Sequence, residues 1–303
     1  MMDYKLLQAL AAVVEQGGFE RAALTLGLSQ SAVSQRIKLL EFRVGAPVLL
    51  RKAPPVPTPA GQRLLNHMQQ VRLLERDLLQ DVPMGEQGGG QTRLRIALNA
   101  DSLATWWAAA VAPLCEEQGL LLDLLTDDQD VGLRRMRSGE VAGCVCATPT
   151  PVAGARALKL GEMRYLAVAR SDLLATYFPP GWEAPAWAQA PAIVFGPDDQ
   201  LQHRFLANCG YQGEFPYHLC PSSEGFVRML CAGIGWGMVP ALQIIQELEQ
   251  GLLREILPGQ GVEVPLYWHY WRNGGRLLEQ LTQQLASTAP GLLGKGQASA
   301  FPS

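Results

Sequence analysis

Two helical patterns in residues 19–44, FERAALTLGLSQSAVSQRIKLLEFRV, are parted by only Gly27, Leu28 and Ser29. So short a break forces the second helix to turn sharply and pack on the first. Glycine suits the left-handed end of the first helix, and Ser29 can cap the second by accepting a backbone N–H of its first turn. Upstream, YKLLQALAAVVE (4–15) repeats Leu6, Leu10, Val13 and Val14 at helical spacing and stops at Gly17-Gly18. Three short helices around one tight turn predict a helix-turn-helix unit.

The second helix of such a unit enters the DNA major groove with its N-terminal residues leading. Val33, Ile37 and Leu40 share one face and can anchor it. Ser31, Gln35 and Lys38 lie roughly opposite, with Gln30 and Ser34 at the leading end. Glutamine can pair bidentately with adenine, serine can bond several base edges, and Arg36 and Lys38 can reach phosphates or guanine. On periodicity alone, a plain solvated face explains the same residues equally well.

Residues 43–59, RVGAPVLLRKAPPVPTP, supply a short strand at Val48–Leu50, the basic pair Arg51-Lys52 and a proline-rich turn. That is the pattern of a wing whose basic tip lies on the phosphate backbone. Thr58-Pro59 then opens a helix with a capping hydroxyl and Pro at its first position. Along it Leu64, Met68, Val71, Leu74 and Leu78 form one apolar stripe. An exposed connecting helix with such a stripe is expected to pair with a second chain, unless it packs within its own domain.

The net charge of −3 hides an asymmetry. Residues 1–80 hold ten basic and six acidic side chains, a net +4, and the rest holds fifteen and twenty-two, a net −7. A basic head on an acidic body suits a head that meets polyanions. The six cysteines form no CxxC pair and the four histidines are scattered, so no metal or cofactor is expected and the thiols read as reduced and buried. No apolar run reaches membrane-spanning length and the N-terminus does not read as a signal peptide; no membrane association and a cytoplasmic location are expected.

After a glycine-rich stretch at 81–91, DVPMGEQGGGQ, strand and helix patterns alternate. TRLRIALNAD, LLLDLL, VAGCVCA, MRYLAVA, AIVF, WGMVP and YWHYW read as strands, with helices between them and GGRLLEQLTQQLAS as the last helix. Such alternation predicts α/β units with a largely parallel sheet. Two strand-end, helix-start stretches, Asn99-Ala100-Asp101-Ser102-Leu103 and Ser222-Ser223-Glu224, offer free N–H groups and hydroxyls to an anion, or else are ordinary helix caps.

The motifs carry a resemblance. Ala22, Ala23 and Leu26, then Ser29 to Ser34, then Ile37, Leu40, Glu41, Gly45, Leu49 and Arg51 together resemble the N-terminal signature of LysR-type transcriptional regulators. GGFERAA, LNADSLATW, GEVAGC, SSEGFV and PLYWH are further similar to the family's arginine- and lysine-responsive export regulators. The wing departs from many members in keeping Leu50 where they carry Phe, and PGLLGKGQASAFPS has no evident counterpart.

The resemblance implies a winged helix-turn-helix (1–58), a linker or dimerisation helix (59–80), a hinge (81–91) and a two-lobed, periplasmic-binding-protein-like effector domain. Its first lobe would span 92–161 plus 266–289 and its second 162–265, before a disordered tail (290–303). DNA contacts fall to Gln30, Ser31, Ser34, Gln35, Arg36, Lys38, Arg51 and Lys52. Effector contacts fall to Asn99, Ala100, Ser102, Leu103, Ser222, Ser223 and Glu224. A lysine or arginine effector needs a carboxylate for its cationic end, and Asp128 is expected to supply it, ahead of Asp127, Asp130 and Asp198. The implied partners are double-stranded operator DNA, the effector, RNA polymerase and further copies of the chain in a homodimer or homotetramer.

An enzyme with a DNA-binding head is a competing reading, but no GxSxG, HExxH, P-loop or GxGxxG stands in the sequence, and GIGWG (233–237) precedes a strand. A second competitor is a replication-origin or nucleoid-type binder with weak sequence preference, which would bind unrelated DNA nearly as well.

Overall fold

The computed structural model describes residues 2–50, 52–81, 93–126, 129–181 and 183–294. Helices α1 (Tyr4–Glu15), α2 (Phe19–Leu26) and α3 (Gln30–Val44) enclose a head core of Leu7, Leu10, Val13, Ala22, Val33 and Ile37, all at most 4% exposed. Gly27 takes φ +63°, and Ser29 Oγ accepts the Ala32 N–H at 3.2 Å, so both turn signals act as their chemistry requires. The wing is an antiparallel pair, β1 (Leu49–Leu50) and β2 (Val56–Pro57). Helix α4 (Pro59–Asp81) starts against it: Thr58 Oγ1 accepts from Gly61 N at 3.1 Å and donates to the Pro47 carbonyl at 2.7 Å. A Cβ at position 61 would lie 2.0 Å from the Val48 carbonyl oxygen, so only glycine lets α4 approach this closely.

The apolar stripe of α4 divides. Met68 is buried in the head core with Leu64 packed on it, whereas Leu74 is 52% exposed. The start of the stripe therefore serves the chain's own head, and Leu74 remains on the surface; nothing is described of the Leu78 side chain. Helix α4 also packs on two body helices, α7 (Gln129–Ser138) and α12 (Gly275–Gly294). The stretch 82–92, which contains most of the expected hinge, lies outside the described residues.

In the body, β3 (Arg93–Leu98) leads into α5 (Ala100–Ser102), a π-helical turn (Leu103–Trp107) and α6 (Ala108–Gln118), a continuous helical run interrupted once. Strand β4 (Leu121–Thr126), α7 and β5 (Gly143–Cys146) complete the first unit. Strand β6 (Ala155–Arg170) carries the chain onward to α8 (Ser171–Tyr177), β7 (Ala192–Val194), α9 (Leu201–Asn208), β8 (Tyr217–Leu219), α10 (Ser223–Cys231) and β9 (Trp236–Pro240). Then α11 (Ile245–Glu249) and β10 (Leu253–Glu255) precede β11 (Gly261–Trp271), which carries the chain back to α12.

These strands form one nine-stranded sheet in the order β4-β3-β5-β11-β6-β9-β7-β8, with β10 on β6. The expected largely parallel sheet is thus corrected to a mixed one. Pairing is parallel among β4, β3 and β5 and among β9, β7 and β8, but β6 and β11 pair antiparallel with each other, β11 with β5, and β6 with β9 and β10. One strand goes out and the other returns, which fixes their opposition. Their register slips between Leu266 and Tyr267, beside Gly161, where the two units meet. Helix α12 runs to Gly294 with Leu293 only 2% exposed, so 290–294 are helical rather than part of a disordered tail. Among the described residues no helix is long and apolar enough to cross a membrane.

Candidate functional site

On the head, Gln30, Ser31, Gln35 and Lys38 are exposed and Ser34 and Arg36 half-exposed, with Ser31, Gln35 and Lys38 on the side of α3 opposite Val33, Ile37 and Leu40. Ser31 Oγ lies 2.9 Å from Ser29 Oγ, which ties it to the cap. Lys52 is exposed on the wing and shares an open cleft with Arg21, Gly17 and Gly18, so the basic wing tip and the start of α2 flank one hollow. Arg51 lies outside the described residues.

In the body, β3 and β7 are the central strands of their units, each paired in parallel on both sides. The strand order reverses at such strands, and ligands bind beyond their C-terminal ends. The two ends face one another. A cavity of about 20 Å3 between them is lined by Asp101 after β3, Phe195 and Asp199 after β7, Ser223 at the start of α10, and Gln243. Tyr165 of β6 donates to Asp101 Oδ2 at 2.8 Å. Ser223 Oγ is 2.8 Å from Asp101 Oδ1 and 3.0 Å from Gln243 Oε1, and Gln243 Nε2 donates to the Ser223 carbonyl at 3.1 Å. Asp199 accepts backbone N–H groups from Phe195 and Leu201 at 3.2 and 2.9 Å. Burial pushes the Asp101 carboxyl above its usual range, against the hydrogen bonds from Tyr165 and Ser223, and the Asp199 charge adds to the rise.

The sequence reading placed an anion at each of the two helix starts. In the structure they converge on the protein's own acid, Asp101, which holds Ser223. Ser222 is the cap of α10, accepting from Gly225 N at 3.1 Å. Glu224 is exposed and pairs with Arg228 one turn on, away from the cavity lining. Leu103 packs on the core. Ser102 Oγ and Asn99 Oδ1 are buried without a hydrogen-bond partner among the described residues. Asp127 and Asp128 lie outside the described residues. Tyr165, Asp199 and Gln243 had no role in the sequence reading, and Asp101 was only a neighbour of the residues chosen. An acid in the first helical turn after a strand was the one available signal. Tyr165 sits inside an apolar run and gives none.

A helix-turn-helix head with an exposed polar face on α3, on a body with a cavity between two sheet ends, has the architecture of a ligand-responsive DNA-binding regulator. Residues 4–62 match the model of the bacterial regulatory helix-turn-helix proteins of the lysR family, and residues 87–289 match the LysR substrate binding domain. The chain belongs to the LysR family of transcriptional regulators. It is 66% identical over 289 residues to the HTH-type transcriptional regulator ArgP of Pseudomonas aeruginosa, covering 95% of this chain and 96% of that one. The crystal structure of ArgP from Mycobacterium tuberculosis superposes with a TM-score of 0.82 at 38% identity, covering 96% and 99% of the two chains. Full-length LysG from Corynebacterium glutamicum with bound effector Arg gives a TM-score of 0.70 at 34% identity, covering 95% and 98%.

Proposed function

We propose that this LysR-type regulator senses a basic amino acid, lysine or arginine, between the lobes of its body and controls genes of amino-acid export or metabolism. The observation that carries this reading is the pair of carboxyl groups, Asp101 and Asp199, in a cavity whose lining includes no cationic side chain. Such a lining favours a ligand with a positive charge beyond that of a neutral amino acid. LysG, at 34% identity, carries Arg as its bound effector, which supports the same class. The lobes proposed are 92–161 plus 266–289 and 162–265. Asn99, Ala100, Ser102, Leu103, Ser222 and Ser223 are proposed to surround the ligand, with Asp128, which follows β4 in the sequence, as a further acid. Glu224 takes no part in this reading, since its ion pair with Arg228 is on the surface.

Calorimetric titration of the full-length protein with lysine, arginine, leucine and glutamate tests the reading. Saturable binding of lysine or arginine, with leucine and glutamate much weaker, is the expected result. Equal binding of all four would remove the charge-selective site.

Helix α3 is proposed to read the operator through Gln30, Ser34 and Gln35, while Arg36, Lys38, Arg51 and Lys52 neutralise phosphates and Ser31 supports the leading turn. Gln35→Ala should cost about 1–3 kcal/mol on operator DNA and little on random DNA. Gel-shift competition at fixed salt measures it; equal weakening on both would assign Gln35 to the backbone instead. The remaining parts of the proposal are a cytoplasmic location, no catalytic activity, a homodimer or homotetramer, and contact with RNA polymerase.

A further inference from the structure

Hydrogen-bond arithmetic at Asp101 points to more than a static counter-charge. A serine hydroxyl has one proton to donate. Ser223 Oγ faces two acceptors, Asp101 Oδ1 at 2.8 Å and Gln243 Oε1 at 3.0 Å. Turning the Gln243 amide round would lose its Nε2 bond to the Ser223 carbonyl. A proton on Asp101 resolves the conflict: Asp101 donates to Ser223, Ser223 donates to Gln243, and Tyr165 still donates to Asp101 Oδ2. The surroundings favour that proton. Tyr165 from β6 and Asp199 from the loop ahead of α9 are the titratable groups that act on Asp101, while Ser223 of α10 and Gln243 face it as neutral groups. Glu224 is turned away in its pair with Arg228.

The same bonds tie the lobes together. Asp101 belongs to the first lobe, and Ser223 and Gln243 to the second. The cavity they close, at about 20 Å3, has room for roughly one water. An amino acid therefore enters only if the lobes part and the Asp101–Ser223 bond yields.

We propose that Asp101 is the residue that selects a cationic effector, and that it exchanges its own proton for the effector's ammonium or guanidinium group, unlatching the lobes as it does so. This rests on the basic-amino-acid reading above. The exchange balances: the carboxylic acid plus the cation gives the carboxylate–cation pair and one proton released to solvent. A neutral side chain gives no counter-charge to replace that proton, so it leaves the latch shut. Linkage sets the pH dependence. While Asp101 holds its proton in the free protein, apparent affinity rises about tenfold per pH unit, and it levels off once Asp101 is ionised before binding.

The experiment is calorimetry of the full-length protein with arginine and with lysine, in buffers of differing ionisation enthalpy, from pH 5 to 8. The expected result is proton release, up to one per amino acid, that is greatest at the acid end and decreases as pH rises. Asp101→Asn should fold, since its amide can still donate to Ser223 and accept from Tyr165, and should bind arginine at least tenfold more weakly with no release. Tyr165→Phe removes a hydrogen bond that favours the ionised form, so it should move the release window to higher pH. Arginine or lysine binding with no release at any pH, or with equal release in Asp101→Asn, would overturn the proton exchange and leave the basic-amino-acid reading standing. Absence of binding by both at every pH would remove that reading and the exchange together.

Discussion

Val33→Asp is expected to abolish operator binding while leaving amino-acid binding intact. Val33 is fully buried on the face of α3 that rests on α1 and α2. A carboxylate there has no cation to meet, and an uncompensated buried charge costs about 3–5 kcal/mol. The head is small and its core is a cluster of its own, which shares no buried residue with the clusters of the body. Loss of the head should therefore remove the recognition helix as a folded unit and spare the interlobe site. Gel shifts and arginine titrations on the same preparation check it. Retained operator affinity would mean that α3 does not pack as described.

Trp268→Ala should have the largest effect in the body, about 3–5 kcal/mol. Trp268 is 0% exposed on β11, donates from Nε1 to Thr282 Oγ1 at 2.9 Å and stands 6.1 Å from the Trp107 ring. Its ring also fills the space that Gly143 leaves open, where a Cβ would come within 2.3 Å of it. Removing the ring opens a cavity beside the sheet and takes away the indole N–H that Thr282 Oγ1 accepts, leaving only the bond it donates to the Leu278 carbonyl. Urea unfolding followed by circular dichroism should show the body transition at lower denaturant, with operator-binding heads still folded in the milder range. Trp268→Phe should recover part of the loss, because most of the apolar contact returns. No change in midpoint would place Trp268 outside the core.

The head was legible almost residue by residue, because its signals are local. Gly27 and Ser29 mark a turn through their own backbone and hydroxyl chemistry, and Val33, Ile37 and Leu40 declare a face by spacing alone. The elements of the body were legible as alternation, but its sheet was not. The pattern MRYLAVA marks only part of β6, whose first half carries Lys159, Gly161 and Glu162 and lacks an apolar rhythm. That half is held in place by pairing with β11, about a hundred residues away in sequence, and such pairing leaves no local trace. The contacts across the cavity were not legible for the same reason. Asp101 meets Tyr165 and Ser223 across separations of 64 and 122 residues. A strand-end motif shows where a helix starts, not that two such starts face each other with an acid between them.

The path from cavity to DNA has a physical course. Asp101 stands at the end of β3, β3 pairs with β4 and β5, and α7, which joins those two strands, packs on α4, the helix that carries the head. At Gly139, just past α7, a Cβ would lie 2.7 Å from Asn66 Nδ2 of α4, so the body's backbone there rests directly on the Asn66 side chain of the linker helix. An effector alters DNA binding only if it binds two arrangements of this assembly unequally.

The most direct test is footprinting of the full-length protein on a genomic fragment that it selects over unrelated DNA at fixed salt, with and without saturating arginine, lysine or leucine. The account predicts a discrete footprint whose extent or cleavage pattern changes with arginine or lysine and stays the same with leucine. A footprint identical under all conditions would contradict a basic-amino-acid sensor coupled to the DNA-binding head.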